Sequence, residues 1–343
     1  MSWDEYGTEG KSEAAWDQEH IAPAISAIVV IPDNYETVRR TMECMKAQTA
    51  AVQMEIVIVT PSYQQLGLDE SELTCFHSLH VVEYEGDKSI SAWYVAGIRQ
   101  ANAPIIALTE DHSFPDANWA ELLIAAHKGP WAIVGPSMRN GNPYTMLSWA
   151  DFYNSYGEWA HPLVSGPVSH TPACNSSYKR DILLSYGDRL EVLMKAENIL
   201  HRHLAAQGHE FMLESETCTT HINFTSWSSW IPSRFHAGRL LTATWAYSWL
   251  LHQRLLFSIA SPLIVLVRLW RIQRRISKRQ SCSFLMRLMP IVFVGLLTEW
   301  FGQMLGFMIG SGNSAEKMAK YEFHRINYDE LSNQAKQINF PYE

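Results

Sequence analysis

The sequence predicts an α/β protein, with a mostly parallel sheet and flanking helices, followed by a C-terminal helical region that is strongly apolar. Three observations lead to this prediction: short β-branched runs alternate with helical spacing, 47% of the 343 residues are hydrophobic, and two long apolar stretches follow residue 234. A chain of this length and composition can bury one large core or two ordinary ones.

Composition excludes several classes of protein. The net charge of -8 argues against a nucleic-acid partner, because phosphate binding requires a basic field. The five cysteines are scattered and never paired as CxxC, so they indicate neither a disulfide framework nor a zinc cluster. Residues 1–22 are acidic without an apolar run, unlike a secretory signal, and are expected to form a flexible tail.

The first elements predict a parallel βαβ unit. Residues 24–32 (AISAIVVIP) form a short β-branched run closed by proline, residues 36–47 have helical apolar spacing, and residues 55–60 (EIVIVT) form a second buried run. Strand, helix and strand at this spacing imply a crossover connection.

The alternation continues to residue 136. The further strands and helices are expected at 80–84, 89–101, 104–109, 116–127 and 131–136. Ligands of doubly wound sheets bind beyond the carboxyl ends of the strands, which places the expected site around Pro32, Thr60 and Glu110.

The last third predicts a membrane-associated region. Residues 255–270 and 284–310 are apolar and flank a basic stretch, 271–279. The second is long enough to span a bilayer, although charged residues and a proline interrupt it. The positive-inside tendency favours an in-plane or re-entrant pair on the cytoplasmic face of the cell membrane, with arginines on anionic headgroups. The alternative is a soluble helical subdomain or a dimer interface.

These patterns divide the chain into four parts. The expected boundaries are an acidic tail at 1–22, a catalytic domain at 23–235, a helical membrane-associated region at 236–312 and a polar tail at 313–343.

Two motifs carry a resemblance to a known family. An apolar strand runs into Glu110-Asp111-His112, and residues 195–221 place an acid at a helix mouth, Gly208 at its exit, and a histidine at the end of the next strand. This order resembles the family 2 glycosyltransferases, inverting enzymes of the GT-A fold. The resemblance implies transfer of a sugar from a nucleotide-diphosphate donor to an acceptor hydroxyl.

In the family, a DxD motif after the apolar strand holds a divalent cation, Mn²⁺ or Mg²⁺. Measured back from Pro115, its two acids fall on Glu110 and His112, with Asp111 between them. Imidazole favours manganese over magnesium. Two alternatives stay open: the motif is shifted by one residue, which makes Asp111 the ligand, or the acidic pair only caps the turn that follows. His221 stands where some relatives carry a histidine that reaches the metal or the diphosphate, although a structural hydrogen bond is an alternative.

The resemblance also supplies a general base. Counting back from Gly208 puts Glu197 on the last acid of the family's Gly-Glu-Asp triplet, with Ala196 replacing the acid before it. A glutamate near a helix start is commonly a dipole partner. The match of Leu200 and Gly208 to the family pattern favours the catalytic role.

On the donor side, Pro32-Asp33-Asn34 resembles the family's strand-end turn, and Glu110 and Asp111 would face the diphosphate. Thr60 begins a stretch, Thr-Pro-Ser-Tyr, that replaces the usual Asp-Asp-Gly-Ser. The base-reading aspartate is therefore missing from its usual place, and the nucleotide stays unnamed. Asp87 is a further candidate for nucleotide or phosphate contact, or a solvated surface residue.

On the acceptor side, residues 174–183 (CNSSYKRDIL) resemble the family's acceptor segment, in which Asn175 and Ser176 would bond sugar hydroxyls. They could equally form a turn with a helix cap. Trp149 opens an aromatic-rich stretch that suits a sugar-stacking platform or ordinary core packing.

The absence of QxxRW after the base helix implies transfer of a single sugar rather than processive synthesis. The expected acceptor is a lipid-linked or cell-surface glycan, with membrane lipids as a further partner and the oligomeric state open. The alternative function is a catalytically weak scaffold of the same fold that binds a glycan or a protein partner.

Overall fold

The computed structural model describes residues 22–172 and 175–323, so the acidic tail lies almost entirely outside the described residues. Nine strands are β1 (Ile25–Val30), β2 (Met54–Thr60), β3 (Ser78–Glu83), β4 (Ile105–Thr109), β5 (Ser113–Pro115), β6 (Ile133–Asn140), β7 (Gly166–Val168), β8 (Ser177–Lys179) and β9 (Phe211–His221) within these ranges. Helices in the same ranges are α1 (Arg39–Lys46), α2 (Tyr63–Leu66), α3 (Ile90–Gln100), α4 (Trp119–Ala126), α5 (Met146–Ser155), α6 (Arg180–Leu184), α7 (Arg189–Met194), α8 (Glu197–Ala206), α9 (Trp227–Trp245), α10 (Leu251–Ala260), α11 (Pro262–Ile276), α12 (Cys282–Ile309) and α13 (Ser314–Glu322).

The strands form one mixed sheet in the order β3-β2-β1-β4-β8-β6-β9-β5, with β7 also paired to β9. β1 pairs in parallel with β2 and β4, β2 with β3, and β6 with β9. β8 is antiparallel to both β4 and β6, so the long strands run in one direction and only the three-residue strands β5, β7 and β8 oppose them. The predicted α/β class, with a mostly parallel sheet and flanking helices, is confirmed.

The central strands are buried on both faces, as expected for a sheet covered by helices. On one face, Ile28 and Val57 pack among side chains of α3, α7 and α8. On the other face, Ile25 and Ile58 pack with Met42 of α1 and with side chains of α4. The period-2 alternation of apolar residues along β1 therefore fills two cores.

The C-terminal helices pack directly against the α/β half. α12 lies along α9 and against α5, where glycines allow close approach. A Cβ on Gly302 would stand 2.0 Å from the carbonyl oxygen of Phe235, and one on Gly238 would stand 2.1 Å from that of Glu299. The expected boundary at residue 235 falls inside α9, because the composition changes there without a break in the helix.

The polar tail expected from residue 313 begins instead with α13, which packs on α9. Positive φ angles at Gly310 (79°) and Gly312 (52°) turn the chain between α12 and α13. The rest of that expected tail, 324–343, lies outside the described residues.

In the described part of the chain, α12 is the one unbroken helix that is long and apolar enough to cross a membrane. Its most apolar 18 residues have a mean hydropathy of 1.6, and 28% of them are buried. Residues 251–258 and 262–276 pass the same test as a pair bent by 48°. Large apolar side chains exposed on these helices include Leu255, Leu256, Leu263, Leu266, Val267, Trp270, Met286, Phe301 and Ile309. An apolar helix follows the sheet domain, as the sequence predicted.

The arginines of this region do not all face outward, as a headgroup role would require. Arg268 donates to Glu299 of α12, and Arg275 contacts Glu158 in the α/β half. Arg279 donates to the backbone carbonyls of Ala160 (2.7 Å) and of residue 162. Arg275 and Arg279 bind the helical region to the α/β half, whereas the contact of Arg268 with Glu299 joins α11 to α12 within the helical region.

Candidate active site

The turn after β4 places three polar residues at the carboxyl edge of the sheet. Thr41 of α1 holds the turn by donating to the backbone carbonyls of Glu110 (3.2 Å) and Asp111 (3.0 Å). The Glu110 carboxylate accepts a hydrogen bond from the Ser113 hydroxyl at 2.9 Å. Glu110 is therefore fixed by its neighbours, although its side chain keeps 12% exposure.

Strand pairing brings the two histidines of this edge together. β5 and β9 are antiparallel with Ser113 opposite His221, so His112 lies beside His221 with ring centroids 4.9 Å apart. The Glu110 Oε2 atom is 3.7 Å from His112 Nε2 and 3.6 Å from His221 Nε2. Glu110, His112 and His221 thus offer three ligand atoms within 4.8 Å of one another.

The second nitrogen of each imidazole has a partner that orients the ring. Asp111 Oδ1 lies 2.5 Å from His112 Nδ1, and Asn223 Oδ1 lies 3.0 Å from His221 Nδ1. Because both oxygens accept, each Nδ1 carries a proton, so a neutral imidazole at either position has its Nε2 lone pair on the side of Glu110. Such carboxylate or amide partners are usual for metal-binding histidines.

One buried atom in this group lacks a hydrogen bond. His112 is 1% exposed, and its Nε2 has no hydrogen-bond partner. An unpaired polar atom in the interior is costly, and a cation at this point would satisfy it. The residues present therefore fit a divalent cation, with Glu110, His112 and His221 as ligands. Asp111, the ligand of the alternative frame, lies behind His112 and orients its ring.

Glu197 is the first residue of α8 and faces the same space. Ala196 before it has an extended backbone, so the chain enters the helix with the Glu197 side chain directed into the open space that Glu110 also lines. Burial, aided by the charges of Glu110 and Glu322, raises the pKa of Glu197 to about 7, although a backbone hydrogen bond acts in the lowering direction. A carboxylate with a pKa near neutrality is suited to accept a proton from a hydroxyl.

A cavity of about 310 Å³ joins these groups. It runs from the start of α3 past Glu110 and Glu197 to the inner faces of α5, α9 and α11, where Asn154, Tyr156, Trp159 and Arg234 line it. Both polar atoms of the Asn154 amide are buried without a partner, and Arg234 is held by Ser155 and Glu299. The cavity can therefore hold a polar ligand against a carboxylate at one end and hydrogen-bonding groups at the other.

Of the donor residues predicted from the sequence, Glu110 lines this cavity. The others lie at the same edge of the sheet but do not line it: Pro32, Asp33, Asn34, Thr60, Asp87 and Asp111. Pro32 and Asp33 follow β1, and Thr60 ends the neighbouring strand β2. Asn34 caps a short helical turn by accepting from the Glu36 amide at 3.1 Å. Asp87 lies in the turn before α3, where its carboxylate accepts a hydrogen bond from the Ser89 amide at 2.8 Å and is 3.6 Å from Lys195.

The structure places the three predicted acceptor residues away from the cavity. Asn175, in a left-handed conformation (φ 61°), donates to Ser113 at 3.0 Å and supports Glu110. Ser176 is fully buried and donates to the carbonyl of Pro172 at 2.6 Å. Trp149 stacks on Tyr153 at 5.6 Å within the aromatic core. The turn geometry at Asn175 directs its amide inward, so it is a positioning group here.

Glu322 is a site residue that the sequence did not indicate, as are Asn154 and Arg234 of the cavity lining. Glu322 ends α13, and its carboxylate Oε2 lies 3.9 Å from His112 Nε2. It lies more than 200 positions from Glu110, in a stretch read as a polar tail. The signal that could have found it was the short amphipathic pattern of residues 314–322.

No family model matches the sequence, and no curated protein matches it. Among solved structures, S. aureus TarS 1–349 in complex with UDP has a TM-score of 0.46 and 14% identity, covering 87% of this chain and 91% of that chain. A second structure of S. aureus TarS 1–349 gives a TM-score of 0.45 with the same identity and coverage. S. aureus TarS gives 0.42 at 14% identity, covering 86% of this chain and 55% of the other. Likeness at this level assigns neither a family nor an activity.

Proposed function

We propose that this chain is an inverting glycosyltransferase that moves a single sugar from a nucleotide-diphosphate donor to an acceptor hydroxyl. One observation carries the proposal: a cavity at the carboxyl edge of a mostly parallel sheet is lined both by Glu197, with a pKa near 7, and by Glu110, which belongs to the Glu110-His112-His221 group. Sugar transfer needs a base and a means to neutralise a departing diphosphate, and this cavity offers candidates for both.

In the proposed reaction, the Glu197 carboxylate removes the proton from the acceptor hydroxyl. The acceptor oxygen then forms a bond to the anomeric carbon while the bond from that carbon to the diphosphate oxygen breaks. Because attack and departure occur on opposite faces in one step, the anomeric configuration inverts. The cavity contributes by holding both reactants in line and by limiting access of water.

Glu110, His112 and His221 would hold the divalent cation. Asp111 and Asn223 orient the two imidazoles through their Nδ1 atoms, at 2.5 Å and 3.0 Å. When bound, the cation neutralises the charge that accumulates on the departing diphosphate. Mixed oxygen and nitrogen ligands favour manganese over magnesium.

The acceptor is proposed to be a lipid-linked or cell-surface glycan, handled at the cytoplasmic face of the membrane. The inner end of the cavity is lined by hydrogen-bonding and aromatic side chains, among them Asn154 and Trp159, which suit a sugar. Its walls include α11, whose outer side exposes Leu263, Leu266 and Trp270. A lipid-anchored substrate could therefore reach the cavity from an adjacent bilayer.

The activity is tested with a panel of nucleotide-diphosphate sugars in the presence of Mn²⁺. We expect at least one donor to be hydrolysed or transferred, and the same donor to raise the melting temperature, because a ligand bound only by the native state stabilises it. Stabilisation without turnover across the panel would favour the scaffold function. If no donor of the panel either stabilises the protein or is turned over, donor binding is refuted.

Membrane association leads to a separate prediction. We expect the full chain to sediment with vesicles that contain anionic lipids, and Leu263→Glu with Leu266→Glu to lower the bound fraction by ~10-fold or more, since each buried leucine contributes about 1.5–3 kcal/mol. Val52→Glu and Val164→Glu are matched controls, because these valines are 70% and 89% exposed on the α/β half. Equal loss in the control pair, or no binding by the wild type, would contradict membrane docking through α11.

A further inference from the structure

The C-terminal helix α13 forms one wall of the cavity. Ala315, Met318 and Glu322 of this helix line the space that also contains Glu110 and Glu197. The last turn is anchored on two sides. Ser233 of α9 donates to the Glu322 carboxylate at 3.4 Å, and the Phe323 ring lies 5.8 Å from that of Trp93 in α3. The position of Glu322 therefore follows from the packing of its helix.

The Glu322 carboxylate approaches the proposed metal ligands. Its side chain is 13% exposed, and Oε2 lies 3.9 Å from His112 Nε2. The corresponding distances from Glu110 Oε2 to the two histidines are 3.7 and 3.6 Å. Two ligand atoms that each lie about 2.1 Å from one ion are about 3 to 3.5 Å apart. Glu322 lies outside the group of ligand atoms that are all within 4.8 Å of one another, so its carboxylate would have to rotate toward Glu110 and His221 to share an ion with them.

The environment of His112 independently indicates that a cation binds between this histidine and the two carboxylates. Its side chain is 2% exposed, and its Nε2 atom has no hydrogen-bond partner while two carboxylates, from Glu110 and Glu322, face it at 3.7 and 3.9 Å. With the proton on Nδ1, toward Asp111, the Nε2 lone pair and these carboxylates repel one another. A cation between them removes the repulsion and gives every group a partner.

We propose that Glu322 is a fourth protein ligand of the divalent cation held by Glu110, His112 and His221, so that the C-terminal helix completes the metal site. This inference rests on the metal site of the proposed function. It implies that bound metal fixes α13 across the cavity, and that the site is incomplete in a chain that lacks this helix.

The test is titration of the full chain with Mn²⁺ alone, followed by calorimetry. We expect Glu322→Gln to weaken Mn²⁺ binding by about 10- to 100-fold, at least the loss typical for removal of a supporting partner. Glu316→Gln is the matched control, because Glu316 is exposed on the first turn of the same helix; its affinity should equal that of the wild type. Glu322→His, which supplies a different ligand atom, should recover much of the affinity.

The outcomes separate this inference from the function on which it rests. If the wild type does not bind Mn²⁺, the metal site itself is refuted, and a protonated His112 between carboxylates would account for the geometry. If the wild type and Glu322→Gln bind equally, only the ligand role of Glu322 is refuted. If Glu322→His binds as weakly as Glu322→Gln, the carboxylate acts through its charge and is not a ligand. Melting temperatures of the metal-free variants verify that each is folded.

Discussion

Glu197→Gln is expected to lower turnover by about 10²- to 10⁴-fold, the usual contribution of a general base. The amide keeps the size of the side chain but cannot accept the acceptor proton, so donor binding should change little. Single-turnover rates and donor affinity, measured on the same protein, separate these two effects. Glu210→Gln is the matched control, since Glu210 is exposed next to the opposite, amino end of β9. Near-normal turnover in Glu197→Gln would assign the base elsewhere.

The same substitution should stabilise the metal-free protein above neutral pH. Folding raises the pKa of Glu197 from 4.5 to about 7, so the folded chain retains a proton that the unfolded chain releases in this interval. The Glu197 carboxyl therefore lowers the free energy of unfolding progressively as the pH rises from about 4.5 to 7. The melting temperature of Glu197→Gln should exceed that of the wild type at pH ~8, with the difference vanishing toward pH ~4.5, where the wild-type carboxyl is neutral. A difference independent of pH would contradict a buried, titrating carboxyl.

The sheet could be predicted because its signals are local. Residues 24–32 and 55–60 are short β-branched runs closed by proline, and both form strands that are buried along their whole length. The short strands β5, β7 and β8 have three residues each and lack such a signal, so the antiparallel pairings that bring His221 to His112 could not be read from periodicity. They depend on contacts between distant parts of the chain.

Among the site residues too, some could be predicted from local sequence motifs, whereas others depend on how distant segments pack. Glu110, His112 and His221 could be named because the motifs that they resemble follow apolar strands, and the carboxyl ends of strands gather at one edge. The inward rotation of Asn175 depends on its left-handed backbone, which the residue type permits but does not require. Glu322 required knowledge of how α13 folds back on α9, a packing outcome set by glycines in α12 and in the turn after it.

Removal of divalent metal is the second change for which we expect a large effect. Without a cation, the charge on the departing diphosphate would face Glu110 and Glu322 directly. The cationic side chains of the cavity wall have carboxylate partners already: Arg234 and Arg268 are bound to Glu299, and Lys195 lies 3.6 Å from the Asp87 carboxylate. We therefore expect excess chelator to lower turnover by several orders of magnitude, in line with the several kcal/mol that a Lewis acid contributes to the transition state. Mn²⁺ should restore more activity than Mg²⁺.

Substitution of His112 tests whether the metal acts at this site. His112→Asp replaces a nitrogen ligand by oxygen, so the ratio of Mg²⁺- to Mn²⁺-supported activity should rise, whereas His112→Ala should require far more metal for half-maximal activity. His77→Ala is the matched control, because His77 is exposed at the amino end of β3, on the opposite edge of the sheet. Metal affinity should also fall as the pH decreases, since a protonated imidazole cannot bind a cation. Full activity in excess chelator, with His112→Ala unaffected, would mean that protein groups alone receive the diphosphate.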